Sequence, residues 1–321
     1  MSLRLSMSTA SGAQKLFARS PVRNGNLLQR GLHCSDTEVQ ALSSIPRIAA
    51  NSPNDAYDGG HIATVNKALK GSGIAILDLG FRDTDSQYLQ NNVLGLGEKH
   101  KHGPPITHSA TQGWFWDVKP KQISTCEPQA RSEGKLEFPW HTDCSYETRP
   151  PQFFALHVLR ADRNGGGTLS VVNLDEVIRK LGPATLEVLS RPEFRIKVPA
   201  EFDKGIDSIV GSLVSRGDSP AAGQTRIRFR ADIIQPLTKD AESALDELNR
   251  LLGPGGDVAD IVINITPEHL PDNAIVLMDN GRWLHSRNEV MDGERHLRRI
   301  RWDRRDFGSG DADEAETRAE W

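Results

Sequence analysis

The segment Glu137-Phe-Pro-Trp-His141-Thr-Asp143-Cys-Ser-Tyr146 sets an imidazole and a carboxylate two residues apart. In an extended chain, side chains alternate between faces, so His141 and Asp143 would share one face about one metal-ion width apart. That is two thirds of a metal site. A 2-His-1-carboxylate triad with open positions is how proteins hold redox-active non-heme Fe(II), so the missing ligand should be a second histidine far along the chain. His285, in Arg282-Trp-Leu-His285-Ser-Arg287, is the candidate. The short pair alone carries little weight. With ten histidines and 43 acidic residues in 321, about one His-x-Asp/Glu arises by accident.

The neighbouring sequence says which elements would carry these groups. Phe138 and Trp140 suit a β segment, and Pro139 argues for the beginning of an edge strand. On that reading Cys144 points away from His141 and Asp143. Asn164-Gly-Gly-Gly-Thr168 reads as a tight turn feeding a β-branched strand, with Thr168 at its mouth. No Gly-Lys-Ser/Thr follows and the next element is not a helix, which excludes a phosphate loop. Ala274 to Met278 reads as a short buried strand, Asp279-Asn-Gly as a hairpin turn, and Arg282 to Arg287 as the returning strand that bears His285. Gly293-Glu-Arg295-His-Leu-Arg-Arg299-Ile-Arg-Trp302, taken as a strand, puts Arg295, Arg299 and Arg301 on one face. Their planar forks suit a dicarboxylate, although a solvated basic strand would have the same composition.

Together these stretches resemble the taurine dioxygenase and clavaminate synthase-like (TauD/TfdA) branch of the Fe(II)/2-oxoglutarate-dependent oxygenases. The resemblance rests on His141-x-Asp143, Gly-Gly-Thr168 about 27 residues after the first histidine, Asp279-Asn-x-Arg-x-Leu-His285 and Arg295-His-Leu. It spans roughly residues 60 to 303. It implies a mainly β fold with flanking helices, a double-stranded β-helix (jelly-roll-like) whose mouth holds the metal. It implies that His141, Asp143 and His285 ligate Fe(2+), and that Thr168 and Arg295 hold the distal carboxylate of the co-substrate 2-oxoglutarate. Arg299 matches a position where relatives keep a second arginine near co-substrate or substrate. Ser286 stands where relatives often have glycine. Halogenating relatives lose the carboxylate, so the presence of Asp143 argues for oxygenation. The implied reaction consumes O2, converts 2-oxoglutarate to succinate and CO2, and oxidises a small organic substrate, most simply by hydroxylation. Other readings of the same residues are a zinc-dependent hydrolase and a non-catalytic β-barrel binding protein. The first lacks a His-Glu-x-x-His base and leaves Arg295 without a purpose.

Residues 1–55 read as a disordered lead-in, 56–303 as a single oxygenase domain with a lid near 200–225, and 304–321 as an acidic disordered tail. Within residues 1–35 lie Arg4, Lys15, Arg19, Arg23 and Arg30, six serines and no acid. This pattern reads as a mitochondrial presequence, with a plain tail on a cytoplasmic protein as the alternative. Cys34, Cys126 and Cys144 include no Cys-x-x-Cys, so neither a disulfide framework nor a zinc knuckle is indicated. A formal charge of -4 and the absence of any long apolar run give no pull toward nucleic acid or membrane. A homo-oligomer is left open. Arg287, Arg299, Trp114 and Trp116 suggest an anionic or zwitterionic small-molecule substrate walled by aromatics. His157 reads as a packed core residue, and Lys99-His-Lys-His102 as an exposed loop. Helical spacing is expected over Gly60–Lys70, near Asp85–Leu96, over Leu174–Arg191 with a break at Pro183, and over Ala241–Leu252.

Overall fold

The computed structural model describes residues 42–108, 113–121, 130–202, 205–215 and 225–307. In chain order the strands are β1 (Arg47–Ala50), β2 (Ile74–Leu79), β3 (Phe115–Val118), β4 (Phe138–His141), β5 (Pro151–Arg160), β6 (Leu169–Asn173), β7 (Phe194–Lys197) and β8 (Ser208–Gly211). They continue with β9 (Val214–Ser215), β10 (Arg226–Ile227), β11 (Ile234–Pro236), β12 (Ile263–Ile265), β13 (Ala274–Asp279), β14 (Trp283–Arg287) and β15 (His296–Arg304). The α-helices are α1 (Gly59–Gly71), α2 (Gln87–His100), α3 (Leu174–Lys180), α4 (Pro183–Leu189) and α5 (Lys239–Leu252).

Two sheets face each other. The larger has the order β1-β2-β13-β5-β15-β3 and the smaller β12-β6-β14-β4. β13 is buried at all six positions, as a strand covered on both faces must be. One face packs inward with Phe154, Val171, Ile263 and Leu297 to fill the space between the sheets. The other, with Leu77, Ile300 and Trp302, packs against α1 and α2. Val172 and Leu284 turn the outer face of the smaller sheet toward α3 and α5. This is the double-stranded β-helix, with its helical flanks produced by the amphipathic spacing of Ile62, Val65 and Leu69 in α1 and of Leu245, Leu248 and Leu252 in α5.

Several local expectations change. Ala274–Arg287 is not a hairpin: β13 and β14 belong to different sheets, so Asp279-Asn-Gly turns a corner between them. Both Asp279 and Asn280 are buried there. The segment before residue 56 contributes β1, paired in parallel with β2. At the other end, Phe307 is buried beneath Arg226 and Arg228. His102 is anchored, not exposed: it stacks on Phe153 at 4.8 Å and accepts from Trp302 Nε1 at 3.2 Å. Pro183 divides the 174–191 segment into α3 and α4, since a proline is tolerated in a helix's first turn but not within one. Of the expected lid, residues 200–202, 205–215 and 225 are described, and β8 within it pairs with β7. The expected presequence at 1–35, Cys34, Cys126 and the tail beyond 307 lie outside the described residues.

Candidate metal centre

β4 is the edge strand of the smaller sheet, and β14 is its neighbour. The register sets His285 directly opposite His141. A shift between His285 and Arg287 then brings Phe138 opposite Arg287, so the irregularity falls around Pro139, which has no N–H for the ladder. The two imidazole centroids lie 4.1 Å apart, and Phe138 stacks on His141 at 3.6 Å.

Asp143 does not extend the strand. β4 ends at His141, and residues 143–146 form a turn in which Cys144 takes a left-handed φ of 54°. Asp143 comes alongside His141 because the backbone bends, and Cys144 is buried at the turn instead of alternating to an outer face. Two clamps fix the bend. Thr142 exchanges hydrogen bonds with Phe229, its N–H donating to the carbonyl at 2.8 Å and its Oγ1 accepting from Phe229 N–H at 3.1 Å. Asn280 accepts the Asp143 N–H at 2.7 Å and donates through Nδ2 to the Asp143 carbonyl at 2.9 Å and the Pro151 carbonyl at 3.0 Å. Sequence reasoning treated Asn280 as a turn residue. Its burial and three bonds make it the structural support of the acid.

The donors converge in the interior. His141 Nε2 and His285 Nε2 lie 4.0 and 3.8 Å from Asp143 Oδ1, and one ligand atom from each residue falls within 4.8 Å of the others. All three residues are about 5% exposed. Burial, reinforced by each other's proximity and by nearby guanidinium groups, holds the His141 imidazole well below its usual range. Burial likewise lowers His285 to about 4, against the opposing pull of Asp143. Burial would raise the Asp143 carboxyl, but Arg299 and its cationic neighbours outweigh it and keep the group below the ordinary carboxylate range. Two rings held neutral by burial therefore turn Nε2 toward a carboxylate, at separations too long for hydrogen bonds. Such a cluster of buried acceptors is unfavourable alone and fits a shared divalent cation. His141 Nδ1 donates to the Pro139 carbonyl at 2.8 Å, which fixes the tautomer that leaves Nε2 free to ligate.

One cavity between the sheets is lined by all three of these residues together with Arg287, Arg295 and Arg299, and walled by Phe154, Leu156, Val158 and Leu297. Arg295 is 5% exposed, and its Nη1 is buried without a hydrogen-bond partner. Gly167 makes room for it: φ there is +69°, and a Cβ would lie 2.9 Å from Arg295 Nε. Thr168 is half-buried, with its N–H donated to Asn288 Oδ1 at 2.7 Å. Its neighbours Gly167 and Leu169 line the cavity. Arg299 Nη1 donates to both Asp143 oxygens at 3.0 and 2.9 Å. Arg301, on the same face, contacts Cys144 and lies 2.8 Å from His108 Nδ1. The basic strand is thus buried, not solvated.

A second cavity opens on the other side of Asp143, bordered by Arg131, Ser145, Tyr146, Phe202, Arg230 and Arg299. Tyr146 stacks on Phe202 at 5.5 Å. Trp116 pairs with Arg299 across β3 and β15 and approaches Phe202 at 6.2 Å, but lines neither cavity. Trp114 packs on the helical side of the larger sheet. Arg287, expected beside substrate, faces the first cavity and not the second.

The chain matches the family described as Taurine catabolism dioxygenase TauD, TfdA family over residues 41–301. No curated protein sequence matches it. Solved structures show the same fold at low identity. Asparagine oxygenase, in complex with Fe(II), (2S,3S)-3-hydroxyasparagine and succinate, is 19% identical over 84% of this chain and 89% of its own, with a TM-score of 0.58. The non-heme iron oxygenase OrfP, in complex with Fe and alpha-ketoglutaric acid, is 16% identical over 80% and 93%, with a TM-score of 0.59. The PvcB protein from Pseudomonas aeruginosa is 16% identical over 75% and 79%, with a TM-score of 0.53.

Proposed function

The chain belongs to the taurine catabolism dioxygenase TauD/TfdA family, and from that premise we propose an Fe(II)- and 2-oxoglutarate-dependent oxygenase that hydroxylates a small anionic or zwitterionic molecule. The observation that carries this reading is the sharing of one cavity by three buried donors and an unpartnered Arg295. His141, Asp143 and His285 would hold the metal, which with 2-oxoglutarate and O2 supplies an oxidant strong enough for a C–H bond while the co-substrate leaves as succinate and CO2. The chain's own contribution is placement. Arg295 offers its fork to the distal carboxylate of the co-substrate, and the Thr168 hydroxyl, just before β6 and flanked by the cavity-lining Gly167 and Leu169, would have to turn inward to add a second contact. The apolar walls keep water from the reacting groups. Arg299 borders both cavities and orients the Asp143 carboxylate, so it stands beside the metal site on the substrate side as well.

The second cavity supports the choice of substrate class. Arg131 and Arg230, which share Asp232, and Arg299, which holds Asp143, leave more arginines than carboxylates around it, and Tyr146 and Phe202 give it an aromatic wall. Structures of the neighbouring oxygenases carry hydroxyasparagine and hydroxy-L-Arg, which fits an amino-acid-like molecule. A zinc hydrolase would have no use for a buried, unpartnered arginine in the same cavity. Screening amino acids, amines and carboxylates for substrate-stimulated succinate release tests the proposal. Stimulation by a carboxylate-bearing compound is expected, and stimulation confined to cations or neutral compounds would contradict it. Residues 1–35 are proposed as a mitochondrial presequence; a reporter fused to them that stays in the cytosol would refute that.

A further inference from the structure

Arg287 and Arg295 reach the same end of the co-substrate cavity. Arg287 is the register partner of Leu169 on β6, and Arg295 lies against Gly167, two residues earlier. Among the described residues, the carboxylates lining this cavity are Asp143 and Asp162. Arg299 engages the first. The second accepts the backbone N–H groups of Asn164, Gly166, Met291 and Asp292. Neither guanidinium therefore has an ion-pair partner. Arg287 donates to neutral carbonyls, through Nε to Asn288 and through Nη2 to Gly134 and Leu136, while its Nη1 makes no hydrogen bond among the described residues. Asp162 exerts some pull on Arg295 from a distance, but it is committed to backbone N–H groups, and two buried cations that no carboxylate contacts directly are costly to maintain unless an anion joins them.

We propose that Arg287 is a second anchoring arginine for the distal carboxylate of 2-oxoglutarate, so that the enzyme selects its co-substrate by a two-guanidinium clamp. One carboxylate has lone pairs enough for both forks, and each charge-assisted bond lost should weaken binding substantially. The inference rests on the co-substrate reading above and moves Arg287 from the substrate to the co-substrate. The competing role is purely structural: Arg287 ties the 134–136 segment to β14, just before β4 begins.

The test is calorimetric titration of the full chain loaded with Mn(II) under nitrogen. One ligand is 2-oxoglutarate; the other is 2-oxopentanoate, which keeps the 2-oxo acid head and chain length but ends in methyl. Arg287→Gln removes the charge yet keeps an N–H donor for the carbonyls. It should raise the Kd for 2-oxoglutarate about tenfold or more and leave that for 2-oxopentanoate unchanged. Arg287→Lys, which keeps the charge, should recover most of the lost discrimination, and Arg287→Met, which keeps the length without the charge, replaces the glutamine variant if that fails to fold. Equal weakening of both acids, no weakening of either, or no recovery with lysine would overturn the clamp while leaving the oxygenase reading intact. If the unaltered chain binds no 2-oxoglutarate, both fall together.

Discussion

Asn280 shows how a residue can govern a site without entering it. It grips the backbone on both sides of Asp143, so the carboxylate itself stays available to the metal and to Arg299. Asn280→Ala would leave the Asp143 N–H, its carbonyl and that of Pro151 without their buried partner, and the turn would lose its fixed direction. We expect the affinity for a divalent metal to fall by about 10- to 100-fold, with far-UV circular dichroism unchanged. Chelator competition measures this, and unaltered metal affinity alongside lowered stability would assign Asn280 to folding alone. At this scale the sequence was most informative where chemistry constrains residue type. An imidazole, a carboxylate and a distant imidazole announce a metal site by identity, and Arg295 announces an anion site in the same way. Asn280 gave no such signal, because an asparagine before glycine is read first as a turn. Arg287, expected beside the substrate, lines the first cavity and not the second, because alternation places it on the inner face but does not say which inner cavity it reaches.

Among the elements, β5 and α2 meet through a buried polar pair. His157 lies on β5 with no exposed surface, and its Nδ1 is 2.9 Å from the Oγ of Ser86, the left-handed residue that precedes α2. Burial, aided by the nearby Arg298 guanidinium, lowers the imidazole from 6.5 to about 4. In this interval the unfolded chain binds the proton and the folded one does not, so stability falls as pH drops from 6.5 toward 4. A His157→Asn variant cannot titrate there. Its stability deficit relative to the parent, measured in the metal-free proteins by urea denaturation, should therefore shrink over that interval by at most about 3 kcal/mol. A deficit that stays constant or widens would mean that His157 is charged in the fold. The same scale separates what periodicity conveys from what it does not. Amphipathic spacing located α1 and α5 well, because a helix buries one stripe wherever it docks. The apparent hairpin at Asp279-Asn-Gly failed because the turn signal is local, whereas the sheet each strand joins depends on remote partners: β2 and β5 for β13, β4 and β6 for β14.

Over the whole molecule, the site exists because two sheets are held face to face. The smaller sheet supplies His141 and His285 from adjacent strands, and the larger supplies Arg299 from β15. Helices on both outer faces cover the sheets and leave the interior to Phe154, Val171, Leu297 and the polar groups around Asp143. This arrangement places ligands that are 144 residues apart in sequence (285 − 141) on directly opposed backbone positions. Order of motifs along the chain made the convergence legible, whereas the bend at Cys144 and the corner at Asn280 that complete it required the folded backbone. If His141, Asp143 and His285 together hold one Fe(II), its use of 2-oxoglutarate depends on all of them. The most direct test is anaerobic Fe(II) binding followed by succinate formation on admitting O2, with the parent chain compared against Asp143→Ala. The parent chain should take up one Fe(II) and produce succinate, and the variant, still folded, should do neither. A folded Asp143→Ala protein that still bound Fe(II) and released succinate at the parent rate would contradict that dependence.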